Sequence, residues 1–496
     1  MHETSSAWVA MTALLIFAPL FWGANLPLPL LVLELAAVGL LLYIVRRPRF
    51  REHLTPPLQW ALLGLLLLPV VQLLPLSFEF WSTLPGRAFY AQALGALDDP
   101  SVISSRAVSL VPSATEQALL ALLPPIMVFL VGIGLPTRDL QKLVFVFLGI
   151  ATFQALLGLI QYGDVPDSPF RLGNPYMAGS AFGTYINRNH LAGLLEMALP
   201  IGLALLAATV GHSQRRRHNR RRTWRQRLAG LTVPRFNQAA IYGAICIALL
   251  LGLIFTRSRS GVALAMLGIL LCTVAFSRRL GGTNVYGLMG TFTAVGVGLA
   301  ALIGLAPILT RFTVDPLVDM RWQIFSGAMR AMGEFFPLGS GNGTFTHLFW
   351  RFYPPDMQFD GIIDRAHNDY LEWLIEGGIV MAIVLAVFLV SYLRQWSVVW
   401  QGGGWSIFRF VQVGAGISLL LMGLHSFVDF NLHIPANAVF FAFLAAVFFH
   451  RHQMEKAEHQ RKPHHRKMHH RSTAQAVPSP TRTIPPENAV NPFDEV

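Results

Sequence analysis

About twelve stretches of this chain are apolar for long enough to cross a lipid bilayer, and that pattern constrains its fold more than anything else in it. They run over about 7–23, 27–45, 58–75, 116–135, 141–162, 190–210, 238–256, 261–276, 285–308, 370–393, 408–427 and 437–450. Hydrocarbon offers an exposed backbone no hydrogen-bond partner, so such stretches must be helices. Composition agrees. Of 496 residues, 53% are hydrophobic and 13% charged, against about 25% charged in a soluble domain, and mean hydropathy is +0.50. The expectation is an all-α polytopic membrane protein with about twelve transmembrane helices. The first run lacks a convincing small-residue cleavage site and reads as a retained span.

Charge sets the orientation. The net charge is +12, and most of the excess falls at 211–235 and 451–471. Arg46–Arg49, Arg138 with Lys142, the run from Arg215 to Arg222, Arg278-Arg279, Arg394 with Arg409, and the tail all fall on one side. The positive-inside rule makes that side the cytoplasm and puts both termini there. This placement argues for topology rather than nucleic-acid binding. Loops 76–115, 163–189 and 309–369 then lie on the other face. The last is the largest and reads as an aromatic-rich lid on the membrane. Within it, 321–333 is expected to be an amphipathic helix with Trp322, Phe325, Ala328 and Met329 on one face. The organisation expected is N-terminal spans over 1–240, a core over 241–450 that includes loop 309–369, and a disordered basic, Pro-rich tail over 451–496. Cys246 and Cys272 sit inside apolar runs, where neither a disulfide nor a metal site is expected.

Ionisable residues are costly in a bilayer and mark function or an interior pair. Glu34 and Glu196 lie inside apolar runs, where each can serve as a hydrogen-bond partner between helices. The other polar residues gather at the outer ends of spans. Asp364-Arg365-Ala366-His367-Asn368-Asp369 runs directly into an apolar helix. Arg257 and Arg259 interrupt a hairpin at Thr256–Gly261, and Arg311, Arg321, Arg330 and Arg351 follow in the large loop. Asn187–His190 opens one span and His425–His433 closes another. His425 and Asp429, four apart, are expected to share a helix face, as a metal pair or as a carboxylate fixing an imidazole.

Arginines on the face that the positive-inside rule leaves poor in charge suit a pyrophosphate, because guanidinium offers a planar fork of donors and stays charged. His367 is the one group in its stretch that ordinarily titrates near neutrality. As a neutral imidazole it can take a proton from a sugar hydroxyl. Asp364 or Asp369 is near enough in sequence to orient it. The bland alternatives are lipid-headgroup contact for each arginine and a helix cap for the histidine.

The stretch Arg365-Ala-His367-Asn-Asp-Tyr-Leu-Glu-Trp-Leu-Ile-Glu-Gly-Gly378 resembles the histidine signature of the bacterial O-antigen ligase and polysaccharide polymerase family. Pro337–Phe345 resembles that family's periplasmic glycine-rich segment, and Thr256–Gly261 its serine–arginine motif. Ser109–Thr115 and Asp429–Pro435 also look familial, the latter closer to exopolysaccharide members. The resemblance is strong over about 240–440 and weaker before it. It implies a GT-C-like, metal-independent glycosyltransferase without cofactors, acting on glycans linked to undecaprenyl pyrophosphate at the periplasmic face. By the match, Arg259 and Arg321 hold the donor pyrophosphate, with Arg257 competing with Arg259. His367 activates the acceptor hydroxyl, while Asp364, Arg365, Asp369, His425 and Asp429 support the site. The acceptor stays open among a growing glycan chain, lipid A-core and a protein serine. The exopolysaccharide-like motif and the basic tail lean toward a polymerase. Membrane lipid and polysaccharide-assembly proteins are the other implied partners. Two different classes of function compete with this reading: a transporter or flippase of lipid-linked glycan, and a scaffold whose aromatic residues stack on sugars.

Overall fold

The computed structural model describes residues 3–46, 54–97, 105–165, 168–174, 179–217, 234–277, 320–355, 357, 361–401 and 405–451. Twelve helices carry the description: α1 (Glu3–Phe17), α2 (Pro27–Val45), α3 (Pro56–Gln72), α4 (Pro112–Gly134), α5 (Thr137–Tyr162), α6 (Arg188–Arg217), α7 (Pro234–Phe255), α8 (Arg259–Ser277), α9 (Met320–Phe335), α10 (Asp369–Gln401), α11 (Ile407–His425) and α12 (Pro435–Phe449). Among the described residues, 8 helices are long and apolar enough to cross a membrane, and Ser6–Phe17, Pro56–Gln72 and Pro435–Phe449 are shorter apolar helices. Every expected run falls on one of these helices except 285–308, which lies outside the described residues. The tail beyond Arg451, the arginines of 218–222 and Arg311 lie outside them too.

α6 is the central helix, packed against α7, α8 and α11. Its apolar span is buried on all sides, as the even spread of its apolar residues requires. Small residues permit the close approach. A Cβ on Gly414 of α11 would sit 2.8 Å from the Pro200 carbonyl oxygen of α6, and one on Gly261 of α8 would sit 2.7 Å from Ala192 Cβ. The outer helices leave Leu28, Leu35, Trp60, Leu270 and Leu393 exposed. Such apolar faces suit lipid rather than water.

A smaller second core caps one end of the bundle. It is built from Ile324, Ala328, Ala331 and Phe335 of α9, Phe345, Phe349 and Phe352, and Leu371 and Ile375 of α10. The expected helix at 321–333 is therefore present, but its buried face differs from the one expected. Trp322 and Met329 are exposed, while Ile324, Gly327, Ala328 and Ala331 face inward. The stripe of small and branched residues packs closely, which leaves the bulky side chains outside.

A break in α10 explains the glycine-rich segment. Gly378 adopts φ 56° and ψ −141°, outside helical values. The backbone groups this frees need partners, because a buried open backbone group is costly. Ser340 N–H donates to the Ile375 carbonyl (2.9 Å), Gly341 N–H to that of Glu376 (3.0 Å), and Ile379 N–H to that of Pro337 (2.8 Å). The Ser109–Thr115 stretch braces the same segment: Leu110 N–H donates to the Ser340 carbonyl (2.9 Å) and Thr115 Oγ1 to that of Asn342 (2.8 Å). A two-stranded antiparallel ribbon, Pro75–Ser77 with Ser105–Ala107, pairs Leu76 opposite Arg106 beside it.

Candidate active site

His367 stands two residues before α10, so the alternative role of helix cap does not fall to it. Asn368 takes that role, its Oδ1 accepting from Leu371 N–H at 3.0 Å, as suits a short polar side chain at an N-cap. His367 itself has φ 51°, a left-handed conformation that L-residues with a bulky side chain rarely adopt. Such strain persists where surrounding contacts over-determine it and is concentrated at functional sites. Its Nδ1 lies 3.4 Å from Asp429 Oδ1, and its side chain keeps 25% of its surface exposed. With Nδ1–H directed at a carboxylate, Nε2 is the nitrogen left to accept a proton.

Asp429 is the hub. Its carboxylate is fully buried, and its second oxygen lies 3.4 Å from Arg321 Nη2. Arg321 Nη1 also donates to the Val428 carbonyl at 2.5 Å, and Phe430 N–H donates to Asp429 Oδ1 at 3.0 Å. Burial by itself would raise the Asp429 pKa. The hydrogen bond from His367, the charge of Arg321 and then that of His367 outweigh it and hold the carboxyl well below the usual carboxylate range. One ionised carboxylate thus joins the histidine to the arginine. Phe430 lies edge-on to His367 at 5.0 Å and to His190 at 4.9 Å, walling the site on its inner side.

The expected orienting carboxylates do other work. Asp369 receives His433 Nδ1–H at 2.5 Å and Leu432 N–H at 3.1 Å. Asp364 meets Thr346 through its backbone carbonyl. Arg365 donates to buried Glu372 at 2.8 Å, and Ala366 N–H reaches the other Glu372 oxygen at 2.8 Å. His433 Nε2 completes the set, 3.3 Å from Glu372. Burial alone would lower the His433 pKa, but the Glu372 and Asp369 carboxylates outweigh it and raise it. This second group pins the His367 turn to the loop after α11. Asp369 N–H donating to the Ser426 carbonyl at 2.9 Å adds to it.

His425 and Asp429 do not share a helix face. α11 ends at His425, and the chain then turns Asp429 toward His367. His425 finds its carboxylate on α6 instead: its Nδ1 lies 3.0 Å from both oxygens of Glu196, and its Nε2 lies 2.9 Å from Ser260 Oγ. His425 and Glu196 are both fully buried.

The arginines divide. Arg321 joins His367 through Asp429. Arg259 opens α8 next to Ser260, so contacts link its helix turn through His425 to Asp429, whose N–H donates to the His425 carbonyl at 3.1 Å. Arg257, with φ 59°, donates to the Gly179 carbonyl at 3.1 Å, away from this network. Arg330 donates to the Phe352 carbonyl at 2.8 Å, and Arg351 pairs with Glu334 at 2.6 Å over the Phe89 ring. These two brace the cap. Among the described residues no group of three or more His, Cys, Asp and Glu side chains is disposed to hold a metal, and Cys246 and Cys272 are buried, unbridged thiols.

Glu372, Glu376 and His433 are the residues that sequence reasoning left without a role, and Glu196 is the one it left without a partner. Glu376 Oε1 accepts from Phe345 N–H at 3.0 Å, locking the glycine segment to α10. The spacing of Glu372 and Glu376 within the histidine stretch was the available signal. Four apart on a helix start, they share a face turned inward.

The fold and this network define a multi-pass helical membrane protein with a histidine–carboxylate–arginine centre where its spans end. Residues 244–386 match the family model described as O-Antigen ligase. The family implies a glycosyl-transfer enzyme, with a lipid-linked glycan donor and a glycan acceptor in general. The match takes in Arg257, Arg259, Arg321 and His367 and ends before His425, Asp429 and His433, which close the site from the other side. No curated protein matches the chain.

Proposed function

We propose that this chain moves a glycan from undecaprenyl pyrophosphate to an acceptor hydroxyl at the periplasmic face of the inner membrane. The observation that carries the reading is the Arg321–Asp429–His367 connection. It sets a charged donor fork and a proton acceptor on opposite oxygens of one buried carboxylate.

In this reaction His367 Nε2 takes the acceptor proton as the acceptor oxygen bonds to the anomeric carbon. Asp429 holds the imidazole ring and favours the imidazolium that forms. The bond from that carbon to the pyrophosphate oxygen breaks, and the electron pair leaves on the phosphate. Arg321 and Arg259 meet the donor's phosphates, where fixed positive charge stabilises the leaving group as it develops. The exopolysaccharide-like Asp429–Pro435 segment favours a polymerase, in which the acceptor is the next lipid-linked repeat.

The transporter reading has one observation in its favour, an ionisable pair inside the spans, Glu196 with His425. That pair lies at the end of α11 beside the His367 network, whereas an alternating-access site lies near the midplane.

The deciding experiment uses purified chain in lipid nanodiscs with undecaprenyl-pyrophosphate-linked oligosaccharide. Transfer by the wild type, lost in His367→Ala with donor binding kept, is the expected result. A His367→Ala chain that still transfers at the wild-type rate rejects the reading. A product ladder identifies a polymerase; a single addition to lipid A-core or to protein identifies the other acceptors.

A further inference from the structure

A second histidine, deeper in the protein, is unused by this mechanism. His425 is fully buried between two polar groups on different helices: Glu196 of α6 on Nδ1 and Ser260 of α8 on Nε2. The distances, 3.0 Å and 2.9 Å, form a continuous carboxylate–imidazole–hydroxyl chain. Burying such a set in a bilayer is costly unless it has a task or a tight internal pairing. An interhelical tie needs only the Glu196–His425 pair. The extension to Ser260 brings the chain out to a half-buried hydroxyl beside Arg259. Ser258 Oγ, 3.3 Å from Ser260 Oγ, supports that hydroxyl from the other side.

The geometry points to Ser260 as the group that hands a proton to the departing pyrophosphate, supplied by His425 and Glu196. This inference rests on the glycosyl-transfer reading above. When the bond between the anomeric carbon and the phosphate oxygen breaks, that oxygen gains an electron pair. Ser260 Oγ–H transfers its proton to it, and His425 Nε2–H transfers its own proton to Ser260 Oγ. His425 ends as a neutral imidazole, still donating through Nδ1 to the Glu196 carboxylate. Meanwhile His367 has gained the acceptor's proton. One histidine gains a proton and the other loses one, so the sum over a turnover is zero, and water resets both. Carboxylate–imidazole–hydroxyl chains are recognised by geometry and roles rather than by order in the sequence, and here the imidazole acts as an acid through the hydroxyl.

The test is steady-state transfer by the full chain in nanodiscs, using the undecaprenyl-pyrophosphate-linked glycan pool extracted from cells that express it. Ser260→Ala should lower kcat on the order of 10²-fold, the usual reach of a general acid. KM for the donor should stay within about threefold, because the contact matters only as the bond breaks. Ser260→Thr, which restores the hydroxyl, should recover most of the loss; a packing defect would not be repaired by the larger side chain. Glu196→Gln should lower kcat in the same direction with donor binding kept. Ser260→Ala with wild-type kcat overturns the inference alone. A loss confined to KM also overturns it, making Ser260 a ground-state donor contact. A wild-type chain that binds the donor but transfers nothing overturns the glycosyl-transfer reading, and this inference with it.

Discussion

Two histidine–carboxylate pairs lie within one cluster and differ in what surrounds them. His367 keeps 25% of its side chain exposed and shares its carboxylate, Asp429, with an arginine that is itself 26% exposed. His425 is completely enclosed and sets its Nδ1 between the two oxygens of an equally enclosed carboxylate, Glu196. On the proposed mechanism, the difference lets one helical scaffold separate two proton-transfer roles. The open pair can reach a substrate that arrives from water, and an arginine shares its carboxylate. The closed pair is held by helix packing, with Ser260 on its outer side. A backbone bond from Asp429 N–H to the His425 carbonyl keeps the two in register.

Breaking each pair should show that contrast. The largest effect expected is on turnover. His367→Ala should lower kcat by roughly 10² to 10⁴-fold, the span of general-base contributions, with donor KM little changed in the nanodisc assay. Next comes stability. Glu196→Ala leaves His425 buried without its partner and should cost about 3–5 kcal/mol, read from denaturant titration of the detergent-solubilised chain. Asp429→Asn should cost distinctly less, because both of its partners reach solvent and are screened, yet it should lower kcat strongly. Equal stability losses for the two variants would erase the distinction between open and closed pairs.

Arg321→Ala should weaken donor binding by roughly tenfold to a hundredfold, as expected for hydrogen bonds to a charged group worth about 1.5–3 kcal/mol. Arg321→Lys should recover only part of it, since lysine lacks the planar fork. Competition by undecaprenyl pyrophosphate measures both, and unchanged inhibition in the alanine variant would remove Arg321 from the donor site.

The smallest effect concerns pH. The His433 pKa is raised in the folded state by Glu372 and Asp369. Its stabilising share is therefore complete below the unfolded value, about 6.5, and is lost as pH rises through the higher folded value. His433→Asn should flatten that part of the thermal-stability profile. A profile identical to the wild type above neutrality would show that His433 does not carry it.

The helical membrane architecture could be read from the chain because apolar length is a local property. Runs such as 190–210 and 408–427 identified α6 and α11 without reference to their neighbours. The cap of α10, by contrast, was not legible, because only the folded turn shows that it is Asn368 whose side chain meets Leu371 N–H. The exposed Trp322 and Met329 show a similar limit. Helical periodicity places residues on a face, but the packing partner decides which face is covered.

His367 and Arg321 stood out in the sequence as candidates from their chemistry and position at span ends. Their connection did not. Asp429 lies 62 residues from His367 and 108 from Arg321 in sequence, and local spacing paired it with His425 instead. The sequence by itself determined that the chain is a bundle of apolar helices with guanidinium and imidazole groups at their ends. Tertiary structure decided which carboxylate serves which histidine. Helix α11 stops at His425, the following turn carries Asp429 across to the start of α10, and α6 brings Glu196 from the far half of the chain. A carboxylate's partner is set by where separate helices converge, over distances along the chain that no local pattern records.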